Sequence, residues 1–357
     1  MKITFLLPGL GHNVPIGGFK VVYEYANRFY NDGHDVYIVY IADPLLNGEK
    51  ATKHIYHFFK YIYKLIFGFS GRKWFPLNKR IKEKLVLFGN KRNIPKSNCY
   101  VATSNTTAVN LQRGNFENAN LVYFIQGFET WNMCMQDLIE TYHYDMKKIV
   151  ISKDLQVKLH KLAEPSVLIP NGFNFDEFKC YKAIESRDKY CINMLYHENA
   201  EKGCEFGFEA IRIVKERYPQ LKVIIWGTSS RPSWLPTDYV YYSRPNNEVH
   251  NKINNTSAIF VAPSLNEGWG LTVGEAMMCG EAVVCTDNKG YVELATNEFN
   301  ALISPIKDYQ MMANNICRLI DDDNLRWKLA NNGLSFVRKY TWENSYIKFK
   351  EVCLQKV

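Results

Sequence analysis

Two carboxylates with seven residues between them flank a glycine-rich turn, Glu267 and Glu275 in PSLNEGWGLTVGEAMMCG (263–280). The apolar run AIFVA ends at Pro263, Gly268 and Gly270 shape the turn, and a helical pattern starts near Leu271. Glu267 therefore lies in a loop at the carboxyl end of a strand, and Glu275 in the first turns of the next helix. The N–H groups at such a helix start have no intrahelical acceptor and favour an anion such as a phosphate. Two carboxylates would repel that anion unless the ligand has several parts. A ligand with hydroxyls on both sides of a diphosphate removes the conflict, because the carboxylates accept from hydroxyls while N–H groups and a cation hold the phosphates. A nucleotide sugar has this layout. The plainer alternative for Glu275 is a charge that complements the helix dipole. A cation is available in YHENAEKG, where Lys202 and Gly203 open a helix at another strand end; a lysine there can neutralise a diphosphate, or be an ordinary surface lysine.

The elements that must position these groups repeat a strand–helix alternation. KITFLL (2–7) reads as a buried parallel strand, its apolar run being too short for a signal peptide. A turn containing Gly17-Gly18 leads into a helix over Phe19 to Tyr30, and VYIVYIA forms the next strand. A glycine pair at a strand end lets a backbone approach a ligand closely, and serves equally as a flexible turn. Three more strands are expected in NCYVATS, NLVYFIQG and KKIVIS, with a helix from about Trp131 to His143. Gln126 and Glu129 stand at the end of the middle strand. Glu129 is a candidate for holding an acceptor hydroxyl, or a charge at a helix start. The Pro, Asn and Gly punctuation of PSVLIPNGFNFDEF (165–178) marks a linker. A second alternation follows, with strands at CINMLYH, KVIIWG, AIFVAP, AVVCTD and ALISP, and an edge strand near YVYY. Helices are expected at Glu201 to Arg217, Asn246 to Asn254, Leu271 to Cys279, Tyr309 to Ile320 and Leu325 to Arg338. The fold class is α/β, with two doubly wound parallel sheets. The expected division is 1–168, 169–338, and a C-terminal helix over 339–357 that returns to the first domain.

The chain has 357 residues, enough for two cores, with 46% hydrophobic and 22% charged residues, a globular composition. Its nine cysteines are dispersed without a C-x-x-C pair and read as reduced intracellular thiols. No stretch is apolar for long enough to cross a membrane as a helix. The net charge is +8, and residues 53–92 carry more than all of it: eleven Lys or Arg against Glu83 alone. Basic residues interleaved with Tyr, Phe and Trp suit an anionic membrane surface. The same pattern also fits a helix packed on a sheet with solvated lysines. A nucleic-acid partner is not expected, since no reading module accompanies the charge.

Four places together resemble glycosyltransferase family 4, the retaining enzymes with the GT-B fold. They are Gly17-Gly18 in the N-terminal glycine-rich loop, IPNGFNFDEF after the interdomain crossing, Lys202-Gly203, and NEGWGLTVGEAMMCGEAVVCTDNKGYVEL. The resemblance implies two Rossmann-like domains facing across a cleft. It implies that Glu275 binds the ribose and that Gly270, Leu271 and Thr272 offer N–H groups to phosphate and sugar. Glu267 would contact donor-sugar hydroxyls near the reacting carbon, Lys202 would hold the diphosphate, and Gly17-Gly18 would face it. Two positions depart from the pattern. His197 stands where an arginine is usual, and Gln126 where many members place a histidine.

The implied activity is transfer of a sugar, with retention, from a nucleotide diphosphate sugar to a hydroxyl of a glycan or lipid-linked acceptor in envelope or capsular polysaccharide synthesis. The alternatives are a nucleotide-sugar epimerase on the same fold and a non-catalytic nucleotide-sugar-binding protein. No cofactor or metal is expected, there being no D-x-D where a metal site would be. The expected place is the cytoplasm, with peripheral attachment to the inner face of the plasma membrane through residues 53–92.

Overall fold

The computed structural model describes residues 1–9, 15–46, 50–116, 118–130 and 133–355. The chain divides into two compact units, Met1–Asn171 with Trp342–Val357, and Gly172–Thr341. The crossings fall three residues later than positions 168 and 338. The reason is local: Phe173 N–H donates to Tyr340 O at 2.9 Å and Phe173 bridges Thr341, so both crossing segments are tied together within the second unit.

The first unit begins with β1 (Lys2–Pro8), α1 (Gly17–Asn31), β2 (Asp35–Asp43), α2 (Ala51–Phe67) and β3 (Lys82–Phe88). It continues with β4 (Cys99–Ala102), α3 (Asn105–Gly114), β5 (Asn120–Ile125), α4 (Met135–Tyr142), β6 (Lys147–Val150), α5 (Lys153–Lys161) and β7 (Val167–Leu168). All its strands are parallel, in the order β3-β2-β1-β4-β5-β6-β7. The apolar run of β1 is central, with Phe5 opposite Ile38 on one side and Val101 on the other. Two strands were not legible beforehand. β7 has two residues, and β3, KEKLVLF, opens with three charged residues and lies at the sheet edge, where lysines discourage pairing with another chain. The expected start of the middle helix at Trp131 lies outside the described residues.

In the second unit come β8 (Cys191–Tyr196), α6 (Cys204–Arg217), β9 (Lys222–Gly227), β10 (Val240–Ser243), α7 (Asn247–Thr256) and β11 (Ile259–Ala262). Next are α8 (Leu271–Met278), β12 (Ala282–Thr286), β13 (Ala301–Ser304), α9 (Tyr309–Asp321) and α10 (Asp323–Val337). The parallel order is β10-β9-β8-β11-β12-β13, with β10 at the edge. The core between sheet and helices is aliphatic, built on Ile192, Met194, Ile225, Val261, Val284, Ile316 and Leu329.

Helix α11 (Trp342–Leu354) belongs to the first unit. Its Phe349 stacks on Tyr25 of α1 at 4.1 Å between ring centroids and meets Phe124 of β5 edge-on at 5.1 Å. Tyr346 and Lys350 both reach Asp32, at 2.8 and 2.5 Å.

In each sheet the chain builds outward in one direction, then starts again beside its first strand: β4 beside β1, and β11 beside β8. Loops leaving the carboxyl ends of these two neighbours diverge to opposite faces. The crevice so formed is where open α/β sheets bind ligands.

Candidate active site

Lys202 and Glu267 meet at the β8–β11 switch of the second unit. After β8, a 3-10 turn over Ala200–Lys202 is capped by Asn199, whose side chain accepts from Glu201 N–H at 2.9 Å. Gly203 then takes a left-handed conformation, φ 58°, so helix α6 begins at Cys204 rather than Glu201. A Cβ on Gly203 would lie 2.2 Å from Pro263 O, so only glycine lets this turn sit on the loop after β11. The two loops are joined by main chain, Leu265 N–H donating to Glu201 O at 2.8 Å. The Lys202 ammonium thereby comes 2.7 Å from Glu267 Oε1, which also accepts from Ser264 Oγ–H at 2.9 Å.

The Glu267 loop is braced from a third side by the turn after β12. Asn288 Nδ2–H donates to Ser264 O at 3.1 Å, and a Cβ on Gly290 would come 2.1 Å from Glu267 O. The signal was visible in CTDNKG, a polar turn with a glycine at a strand end. Its partner, 24 residues earlier for the Asn288 bond, was not.

Gly270 caps α8 in a left-handed conformation, φ 86°, with its Cα packed so close to Tyr291 that a Cβ would lie 2.5 Å from the ring. Leu271 and Thr272 are the first residues of α8, and their N–H groups precede the first intrahelical acceptors. One turn further on, Glu275 is buried, with His250 Nδ1 of α7 at 4.0 Å from its Oε2. His250 is itself held between Trp226, 3.9 Å between ring centroids, and Phe178, edge-on at 5.0 Å. Sequence reading did not single out His250, since a lone histidine in a short polar helix carries no pattern.

His197 follows β8 directly. Its Nδ1 accepts from Asn199 N–H at 3.0 Å, which places the ring proton on Nε2. Partial desolvation, then the Lys202 ammonium, lower its pKa, with Glu198 and Glu267 opposing. The ring is therefore neutral at pH 7 and offers one N–H, where an arginine would offer a charged fork.

The remaining candidates lie in the first unit. Gly17 and Gly18 form the first turn of α1 rather than a preceding loop, and a Cβ on Gly18 would lie 3.5 Å from Gln126 Oε1. Gly18 and Gln126 are thus neighbours at the carboxyl edge of this sheet. Glu129 is committed to α3: its Oε2 accepts from Asn105 N–H at 2.9 Å, and its main-chain O accepts from Asn105 Nδ2–H at 2.9 Å. Burial pushes the Glu129 carboxyl up to about 7, the Asn105 bond opposing.

Among the described residues, no group of three or more His, Cys, Asp or Glu is placed to hold a metal ion. The aspartate run 321–323 is spent on packing: Asp321 on Arg217 at 2.7 Å, Asp322 capping α10, and Asp323 on Arg326 at 2.6 Å.

Residues 182–336 match the family model for glycosyl transferases group 1. The N,N'-diacetylbacillosaminyl-diphospho-undecaprenol alpha-1,3-N-acetylgalactosaminyltransferase of Campylobacter jejuni is 27% identical over 165 residues, 45% of this chain and 43% of that protein. The capsular polysaccharide biosynthesis glycosyltransferase CapM of Staphylococcus aureus is 23% identical over 246 residues, 61% of this chain and 64% of that one. Both matches span less than two thirds of the relative's own length. Among solved structures, Anabaena HepE in complex with UDP and glucose superposes with a TM-score of 0.73 at 15% identity, covering 98% of each chain. Residues 182–336, which carry Lys202, Glu267 and Glu275, thus match the group 1 glycosyl transferases, and the chain as a whole has the GT-B fold.

Proposed function

We propose that this chain is a retaining glycosyltransferase that moves a sugar from a nucleotide diphosphate sugar to a hydroxyl of a glycan or lipid-linked acceptor, in cell-envelope or capsular polysaccharide synthesis, without a metal. The observation that carries the reading is the Lys202–Glu267 pair at 2.7 Å, set at the switch point beside the start of α8. Two relatives support the substrate classes: one is named for a diphospho-undecaprenol acceptor and one for capsular polysaccharide, while a structural neighbour was solved with UDP and glucose.

The pair explains how an acidic site accepts a diphosphate. Before the donor arrives, Lys202 and Glu267 neutralise each other. As the donor enters, the ammonium turns to the phosphates and Glu267 accepts instead from sugar hydroxyls. The N–H groups of Leu271 and Thr272 supply fixed dipoles, His197 Nε2–H a neutral donor, and Glu275 a carboxylate for the ribose. In a front-face transfer the acceptor oxygen bonds to the sugar's anomeric carbon as the bond from that carbon to the phosphate oxygen breaks. The acceptor's proton passes to the departing diphosphate. The protein then chiefly positions both substrates and stabilises phosphate charge. The reading keeps the enzyme in the cytoplasm, where a lipid-linked acceptor is met at the membrane.

The test is incubation with UDP-sugars, with and without a panel of lipid-linked glycans. A glycosylated lipid product supports the reading. A new nucleotide-sugar isomer formed without acceptor would replace it by an epimerase, and donor binding without any product by a non-catalytic binder.

A further inference from the structure

A cleft of about 440 Å³ lies in the second unit, at the far end of α8 from Lys202 and Glu267. Three segments wall it. The turn over 174–179 supplies Phe175, Phe178 and Lys179, the last residue of α8 is Met278, and the end of α10 brings Leu334 and Arg338. The turn is held by hydrogen bonds of its own. Glu177 N–H and Phe178 N–H donate to Asn174 O at 3.2 and 3.1 Å. Lys179 N–H donates to Asn251 Oδ1 at 3.2 Å, and Lys179 O accepts from Asn255 Nδ2–H at 3.0 Å, which pins this main chain to α7. Phe178 and Met278 are buried and form the floor, while Phe175 and Leu334 are half-buried walls. A preformed apolar cleft of this volume falls in the range of small-molecule sites, roughly 300–1,000 Å³. It is too small for a folded partner.

The charges at the mouth state what kind of small molecule fits. Lys179 and Arg338 are both exposed there, no residue lining the cleft is acidic, and among the described residues neither cation is in an ion pair. Arg338 follows the last residue of α10 and complements that helix's dipole in any case. Lys179 stands at no helix end, and it comes from a distant part of the chain. One apolar chain ending in a carboxylate or phosphate answers both features. The chain lies on Phe178, Met278 and Leu334, and the head group accepts from the ammonium and the guanidinium. A neutral apolar molecule leaves the cations without a partner, and a bare anion leaves the floor uncovered.

The cleft is one side chain away from Glu275. Phe178 meets His250 edge-on at 5.0 Å between ring centroids, and His250 Nδ1 lies 4.0 Å from Glu275 Oε2. Met278 stands three residues after Glu275 on α8, so the two are neighbours along that helix. A molecule seated between Phe178 and Met278 therefore bears on Glu275 from two sides.

We propose that this cleft binds a small amphipathic anion, and that its occupancy shifts the seat of Glu275 and with it the affinity for a nucleotide. The coupling rests on the proposed function, which gives Glu275 the ribose; the binding itself does not.

The test is calorimetric titration of the full chain with octanoate and octyl phosphate, against octanol and acetate as controls. The expected result is saturable binding of one octanoate or octyl phosphate per chain, the stronger of the two naming the head group, and no binding of either control at the same concentration. Two variants locate the site. Lys179→Glu with Arg338→Glu reverses two exposed charges, so circular dichroism stays unchanged, and should weaken binding about tenfold or more. Leu334→Trp fills the cleft and should abolish binding. Absence of binding of both anions to the wild type, or equal binding of octanol, overturns the proposal. So does binding that neither variant lowers, which would put the anion on another apolar surface. Titration of UDP, GDP and ADP with and without the saturating anion reads the coupling. A change of about fivefold or more in nucleotide Kd is expected, and an unchanged Kd overturns the coupling. Absence of nucleotide binding in every protein counts against the proposed function and removes the coupling with it, while the anion titration still decides the site.

Discussion

Lys202 and Glu267 are 65 residues apart in the chain and 2.7 Å apart in space, because the strands that precede them, β8 and β11, are neighbours in the sheet. The pair joins the carboxyl ends of two strands at the one point in the second sheet where the building direction reverses. The two side chains also balance each other's charge, which in the proposed reading lets a diphosphate enter a loop that carries a carboxylate.

Removing the ammonium is expected to remove transition-state stabilisation rather than the fold. Lys202→Ala should lower kcat by roughly 10²–10³-fold, with circular dichroism unchanged. Lys202→Arg keeps the charge but changes the geometry, and should recover part of that loss. Steady-state kinetics with a saturating acceptor checks both.

Gly203→Ala forces a left-handed residue to carry a side chain and drives its Cβ toward Pro263 O. Strain of this kind costs about 1–3 kcal/mol, and relief requires the Lys202 turn to leave the Glu267 loop. The expected outcome is a lower urea midpoint together with loss of donor binding, read by a donor-induced thermal shift.

Glu129 gives a pH signature in the first unit. Its carboxyl is raised to about 7 from an ordinary value near 4.5. The protonated form is thus favoured on folding, so its contribution is fully present below about pH 4.5 and is lost as pH rises through about 7. Glu129→Gln keeps an acceptor for Asn105 N–H and cannot ionise. Relative to wild type, its melting temperature should rise between pH 5 and 8, with the largest gain at pH 8. A difference that is flat across that range would contradict the assignment.

Phe349→Ala removes a side chain enclosed by Tyr25 and Phe124. A buried phenylalanine truncated in this way costs about 3–5 kcal/mol. Equilibrium unfolding should show the loss in the first unit, through the part of the transition that tracks α11.

The two alternations of strand and helix were legible because parallel strands buried on both faces read as short apolar runs, as KITFLL and AIFVA do. Glu267, Glu275 and Lys202 were legible as candidates because glycines mark the turns that carry them. The pairing of Lys202 with Glu267 was not, since strand order is not written in either segment. β3 escaped notice because KEKLVLF begins with three charged residues, the mark of an edge. The exposed face of α2 was legible only as composition. Its two-sided pattern states that one face is apolar, but the same pattern would serve a helix packed on the sheet, and only the fold shows that the apolar face points outward.

The central claim is that the site around Lys202, Glu267 and α8 transfers a sugar with retention. The most direct measurement is the anomeric configuration, by NMR, of the product formed from an α-linked UDP-sugar and a lipid-linked glycan. The account predicts an α-linked product from the wild type and none from Lys202→Ala or Glu275→Ala, both still folded. A β-linked product, or normal turnover by both variants, would contradict it.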